Sequence, residues 1–181
     1  MKVTMKIQQY KLFQFKTQFN RYGNVAHSYY QNPISYVESF LYDVYGYVYR
    51  AGGPKEFLDH FIIRENGSMI GGFNTIEFNL DTVNNIIYVG EIFDAGDLHM
   101  TDAEFNDKFG NMTSLQLCQN KIIDGAIISR NNFIKLLTTW GQLVQKKSAY
   151  ILLYFDDQNW YDALPFDSKE AMENFIADHA Q

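Results

Sequence analysis

Cysteine is nearly missing from this chain: Cys118 is the only one in 181 residues. An internal disulfide framework is excluded, and a reducing compartment, the cytoplasm, is the expectation. The setting of that thiol, Leu115-Gln116-Leu117-Cys118, alternates apolar and polar positions. It predicts a small core group rather than a nucleophile. Proline (3) and glycine (12) are also few, which excludes collagen, linker arrays and low-complexity chains. The longest apolar run, near Tyr150 to Phe155, falls far short of the roughly 20 residues of a membrane helix. Met1 to Ile7 is charged and lacks the apolar stretch of a signal peptide. No membrane contact is expected.

Catalytic signatures are missing as well. Gly67-Ser68-Met69-Ile70-Gly71 has the wrong spacing for a nucleophile elbow. Gly52-Gly53 and Gly71-Gly72 are isolated pairs, not a phosphate-binding loop. His27, His60, His99 and His179 stand in no triad context. The sequence assigns no catalytic residue, no metal and no cofactor. Asp94, Asp97 and His99 are the groups an enzyme with a nonstandard site would use, but Asp94-Ala95-Gly96-Asp97-Leu98-His99 matches no defined cation loop.

What the chain has in excess is rings and acids. Aromatic residues make up 17%, with 15 Phe, 13 Tyr and 2 Trp, and the formal net charge is −6. Most rings fall at strand or helix-face positions and are expected in the core. Tyr29-Tyr30, Tyr45-Gly46-Tyr47 and Trp160-Tyr161 put neighbours on different faces and leave rings for an interface. The charge is unevenly spread. No acid precedes Glu38, while Lys2, Lys6, Lys11, Lys16 and Arg21 are basic. From Glu65 to Asp107 there are nine acids and no Lys or Arg. From Ile151 onward seven acids meet only Lys169. A nucleic-acid partner needs clustered bases and is not expected.

Periodicity predicts a single α+β domain over residues 1–181, with a mostly antiparallel sheet and helices packed on it in two layers. Gln8 to Phe19 reads as a strand and Tyr22 to Gln31 as a loop. Helices open at Pro33 and Pro54. Strands over Ser68 to Leu80 and Ile86 to Phe93 form a hairpin across Asp81-Thr82-Val83-Asn84-Asn85. Thr101-Asp102-Ala103-Glu104 is a capping box that starts a short helix ending at Gly110. Ser114 to Gln119 and Ile122 to Ile128 read as strands. Ser129 caps a helix with a stripe of Phe133, Leu136, Leu137, Trp140 and Leu143. Tyr150 to Phe155 reads as a central strand covered on both faces, followed by a turn at 156–159 and a strand from Trp160. Asp167 or Ser168 caps a last helix.

The run Ile127-Ile128-Ser129-Arg130-Asn131-Asn132-Phe133-Ile134-Lys135-Leu136-Leu137 leads to Trp140, Lys146-Lys147, a Tyr/Ile/Leu strand and Asp156-Asp157-Gln158-Asn159-Trp160. Over residues 122–162 the chain resembles small bacterial immunity proteins of polymorphic-toxin and contact-dependent growth-inhibition systems. That resemblance implies a cytoplasmic protein that binds and neutralises a cognate toxin domain. Many such toxins are nucleases with basic clefts, and an acidic surface substitutes there for a phosphate backbone. The docking residues expected are Glu91, Asp94, Asp97, Asp102, Glu104 and Asp107 as one group. Asp156, Asp157 and Asp162, with Trp160 and Tyr161, form the other. The competing readings are a small enzyme and a structural adaptor subunit.

Overall fold

The computed structural model describes residues 5–16, 21–24, 33–50, 52–63, 69–70, 76–91 and 95–179. Strands β1 (Ile7–Lys16) and β2 (Arg21–Asn24) precede helices α1 (Pro33–Arg50) and α2 (Pro54–Ile63). Strands β3 (Met69–Ile70), β4 (Ile76–Asp81) and β5 (Ile86–Glu91) follow, then a 3-10 turn at Ala95–Leu98. Next come α3 (Asp102–Phe109), α4 (Ser114–Gln119), β6 (Ala126–Ser129) and α5 (Arg130–Gln145). The C-terminal part holds β7 (Tyr150–Asp156), β8 (Tyr161–Phe166) and α6 (Lys169–His179).

The class is α+β, with helices laid on antiparallel sheets. The strands divide between two four-stranded sheets, in the orders β2-β1-β7-β8 and β3-β4-β5-β6, where the sequence predicts one. The division comes from a long-range pairing: β1 runs beside β7, from Ile7 opposite Asp156 to Gln14 opposite Tyr150. That places β7 in the middle of the first sheet, which explains its unbroken apolar run. Ile151 and Leu153 turn to one core cluster, Leu152 and Tyr154 to another. Period-two alternation with both faces buried gives such a run.

The main core lies between the inner faces of the two sheets and is filled by α1, α2 and α5. Phe13, Ile151 and Ala163 come from the first sheet, and Phe78, Ile87 and Ile128 from the second. Here the aromatic surplus is used. Phe40 of α1 stacks on Phe78 at 5.8 Å and lies 5.2 Å from Phe133. Phe57 of α2 meets Phe78 at 6.0 Å. One ring cluster thus ties α1, α2, β4 and α5 together. The outer face of the first sheet is covered by α6 through Met172 and Ile176. The outer face of the second carries Tyr88, packed against Phe109 of α3 and Leu115 and Leu117 of α4.

Local signals account for most boundaries. Gly52 and Gly53, at φ of 102° and 131°, turn α1 into α2 in a conformation side chains resist. The Ser129 side chain accepts from the Asn132 N–H at 3.2 Å and starts α5, and Ser168 does the same for α6 from Ala171 at 3.1 Å. Two readings are corrected. Arg21–Asn24 is a strand, held by pairing with Phe13–Lys16. Ser114–Gln119 is a helix, because Thr113 and Gln116 form a capping box at its start. The strand predicted over 122–128 shortens to Ala126–Ser129. Tyr29 and Tyr30 lie outside the described residues.

Candidate functional site

The first acidic group is built on the outer side of the second sheet. Leu98, Met100, Phe105 and Phe109 pack into the cluster beneath α3, with the rings of Phe105 and Phe109 5.5 Å apart. This fixes the helix by its apolar side. Asp97, Asp102, Glu104 and Asp107 are all exposed, and Lys108 is the one base on α3. The Lys108 ammonium sits 5.0 Å from the Phe109 ring centroid. Among the described residues no ion pair engages Asp102 or Asp107. Asp102 and Glu104 also lie in the first turn, where negative charge favours the helix dipole. Glu91 stands in β5, and Asp94 lies outside the described residues.

Glu104 has a second task. Its carboxylate accepts from the Thr101 backbone N–H at 2.9 Å and from the Thr101 hydroxyl at 2.8 Å, completing the capping box. These bonds, the backbone one first, hold the Glu104 carboxyl below its ordinary range. A folded-state pKa below the unfolded value stabilises above the unfolded pKa, and that contribution is lost as pH falls through the folded one. We therefore expect α3 to fray at its N-terminus only below the usual carboxylate range. In a carboxyl NMR titration Thr101→Val should move Glu104 back toward its ordinary value. An unshifted titration in the variant would contradict this role of the hydroxyl.

The second acidic group is taken up largely by structure. Asp156 is only 7% exposed, and its Oδ1 accepts from the N–H groups of Gln158 and Trp160, both at 2.9 Å. It builds the β7–β8 turn, with Asn159 at φ 58° closing it. Asp157 is half-buried and exchanges bonds with Lys6: its N–H donates to the Lys6 carbonyl at 2.9 Å, and its Oδ1 accepts from the Lys6 N–H at 3.3 Å. Asp162, 9% exposed, accepts from Lys135 Nζ at 2.7 Å and from the Ala163 N–H at 2.9 Å. Tyr161 is 1% exposed and belongs to the main core, its ring 4.6 Å from Phe155. Burial removes Tyr161, Asp156 and Asp162 from the docking face expected of them. Only Asp157 and Trp160 keep part of their surface, and the Lys135 ammonium lies 5.2 Å from the Trp160 ring. The first group lies on β5, the 3-10 turn and α3, the second on the β7–β8 hairpin.

Sequence reading missed two partners. Lys135 neutralises Asp162 from one turn beyond the start of α5, and Asn132 bonds the backbone of Tyr161. No short-range signal marks either, since each contact spans more than 25 positions of chain. Lys11 leaves the basic N-terminal set: it is 4% exposed and paired with Glu38 of α1 at 3.2 Å. Cys118 is half-buried; burial first, then the nearby negative charge of Asp124, pushes its pKa up to about 11. It stays a thiol at neutral pH and is a poor nucleophile. Burial, then the charges of Asp162 and Asp156, likewise raises the Tyr154 phenol. Asp97 and His99 are exposed, and among the described residues no three His, Cys, Asp or Glu are placed to hold a metal ion.

Among the described residues no helix is long and apolar enough to cross a membrane. Compared with known protein families, curated proteins and solved structures, the chain matches none of them.

Proposed function

We propose that this is an immunity protein that binds and neutralises a cognate bacterial toxin domain in the cytoplasm. In this reading the acidic face of α3 receives a basic toxin surface such as a nuclease cleft. The observation that carries it is the exposure of Asp97 in the 3-10 turn and of Asp102, Glu104 and Asp107 on α3, a helix seated through Phe105 and Phe109. A rigidly seated acidic face is pre-organised, so docking costs little ordering. Complementary charge speeds encounter, toward ~10⁸–10⁹ M⁻¹s⁻¹ at low salt. The second hairpin adds Asp157 and the half-exposed Trp160 as a separate candidate contact. The resemblance over residues 122–162 supports the same class of partner.

The test is co-expression with the C-terminal domain of the polypeptide encoded immediately upstream. A stable complex and rescue of growth from that domain are expected. Growth arrest without rescue, and no complex, would sink the proposal.

A further inference from the structure

The bases of this chain form no long run in the sequence, yet folding gathers Lys16, Arg21, Lys146 and Lys147 at one corner. We infer that this corner binds a single strand of nucleic acid through its phosphates. Two parts of the fold meet there. Lys16 ends β1 and lies opposite Arg21 of β2, so the two share a face of the first sheet. α5 ends beside them: the Phe15 N–H donates to the Ala149 carbonyl at 3.0 Å, and the Lys147 ammonium lies 5.8 Å from the Phe15 ring centroid. Lys146 and Lys147, the latter at φ 53°, form the bend that carries the chain from α5 toward β7. Arg21 and Lys146 are 125 positions apart, so the sequence does not display the cluster.

The charge at this corner is unspent. Lys16, Lys146 and Lys147 are exposed. The ion pairs among the described residues take Lys11, Arg130, Lys135 and Lys169 instead. The link between β1 and β2, Thr17-Gln18-Phe19-Asn20, adds no acid to the sequence there. Asp167 follows β8, which β7 separates from β1. Lys146 and Lys147 gain from the negative end of α5. That does not account for Lys16 and Arg21, because like charges directly opposite each other on paired strands are destabilising. An external anion relieves the repulsion. Its kind follows from what surrounds the bases. Tight protein partners and membrane surfaces use apolar anchors beside the charge. Among the described residues the large hydrophobic side chains left exposed are Tyr10 and Val83. Tyr10 stands six positions back along β1, and Val83 lies in the β4–β5 turn. A backbone of regularly spaced phosphates needs only the bases. This inference does not depend on what α3 binds.

Fluorescence anisotropy on the intact protein tests it, with labelled single strands of about 20 nucleotides and mixed sequence, one RNA and one DNA. Four phosphate contacts give a slope of log affinity against log salt of about −3, a loss of about fiftyfold between roughly 50 and 200 mM. The variant Lys16→Glu/Lys146→Glu/Lys147→Glu should weaken low-salt binding by about twentyfold or more. Lys55→Gln/Lys121→Gln, at exposed positions elsewhere, should bind like the parent. No saturable binding of either strand at low salt would overturn the inference, as would equal binding by the parent and the folded triple variant. Binding of anionic vesicles or of poly-glutamate, with neither strand bound, would overturn it in favour of a membrane or an acidic protein. Should the triple variant fail to fold, Lys16→Gln decides. It removes the like-charge repulsion, so it should keep or raise the urea midpoint while flattening the salt slope by about 0.7. A Lys16→Gln protein with the parent's slope would count against the assignment.

Discussion

Asn132→Ala should destabilise the protein by about 2–4 kcal/mol, because a buried donor and a buried acceptor lose their partners together. Asn132 and Tyr161 are each 1% exposed, so water does not readily replace the carboxamide. The bonds at 2.6 and 2.8 Å tie the first turn of α5 to the backbone of β8. Each group left unsatisfied costs about 1–3 kcal/mol, whereas a typical exposed bond nets about 1. The loss should appear as a lower urea midpoint at unchanged slope. Asn131→Ala, at the exposed neighbouring position, should stay within about 0.5 kcal/mol of the parent. A midpoint for Asn132→Ala equal to that of Asn131→Ala would contradict this account of α5 docking.

Gly90→Ala should cost about 2–3 kcal/mol, through overpacking. The Tyr88 side chain is fully buried on the outer face of the second sheet, and its hydroxyl donates to the Asp124 carbonyl at 3.2 Å. A Cβ on Gly90 would fall on that hydroxyl, and a Cβ on Gly125 would fall on the ring edge. Leu115, Leu117, Phe109 and Ile123 surround the ring, so it has no room to swing away. In an open strand Ala would be favoured over Gly by about 0.5–1 kcal/mol; the clash outweighs that gain. The cost should largely disappear in a Tyr88→Leu background, where the phenol end is absent. A double-mutant cycle showing no coupling between the positions would refute the contact.

How far the sequence speaks depends on the range of the contact. The helices of α1, α3, α5 and α6 carry their starts and apolar stripes within a few residues, and each is where the periodicity puts it. α4 shows the limit of a period-two pattern. Leu115-Gln116-Leu117-Cys118 alternates like a strand, yet Thr113 and Gln116 already spelled a capping box three residues apart. The cap outweighed the alternation because six residues are too few for either period to be distinctive. The hairpin turn at 156–159 is legible from Asp and Asn. The burial of Asp156 is not, because a turn-building aspartate and a solvated one look alike in sequence. Trp160 and Tyr161 were separable onto opposite faces, but which ring is swallowed depends on α5 lying beside β8. The exposure of the α3 carboxylates was legible for the opposite reason: it follows from a local cap and a local stripe.

The charge pattern is therefore more selective than the composition implies. Asp156 and Asp162 are spent on turn and edge, and Lys11 on a buried pair with Glu38. What remains on α3 is a face whose carboxylates have little internal work beyond the cap. A basic partner of the kind proposed should respond to charge before it responds to shape. The most direct measurement of the proposed function is the association rate of the C-terminal domain of the polypeptide encoded immediately upstream with the parent and with Asp102→Lys/Asp107→Lys, followed by stopped flow at rising salt. The account predicts a rate lowered about ten- to a hundredfold by the substitutions at low salt, with the gap closing as salt screens the face. Equal rates for the two proteins at every salt concentration would contradict it.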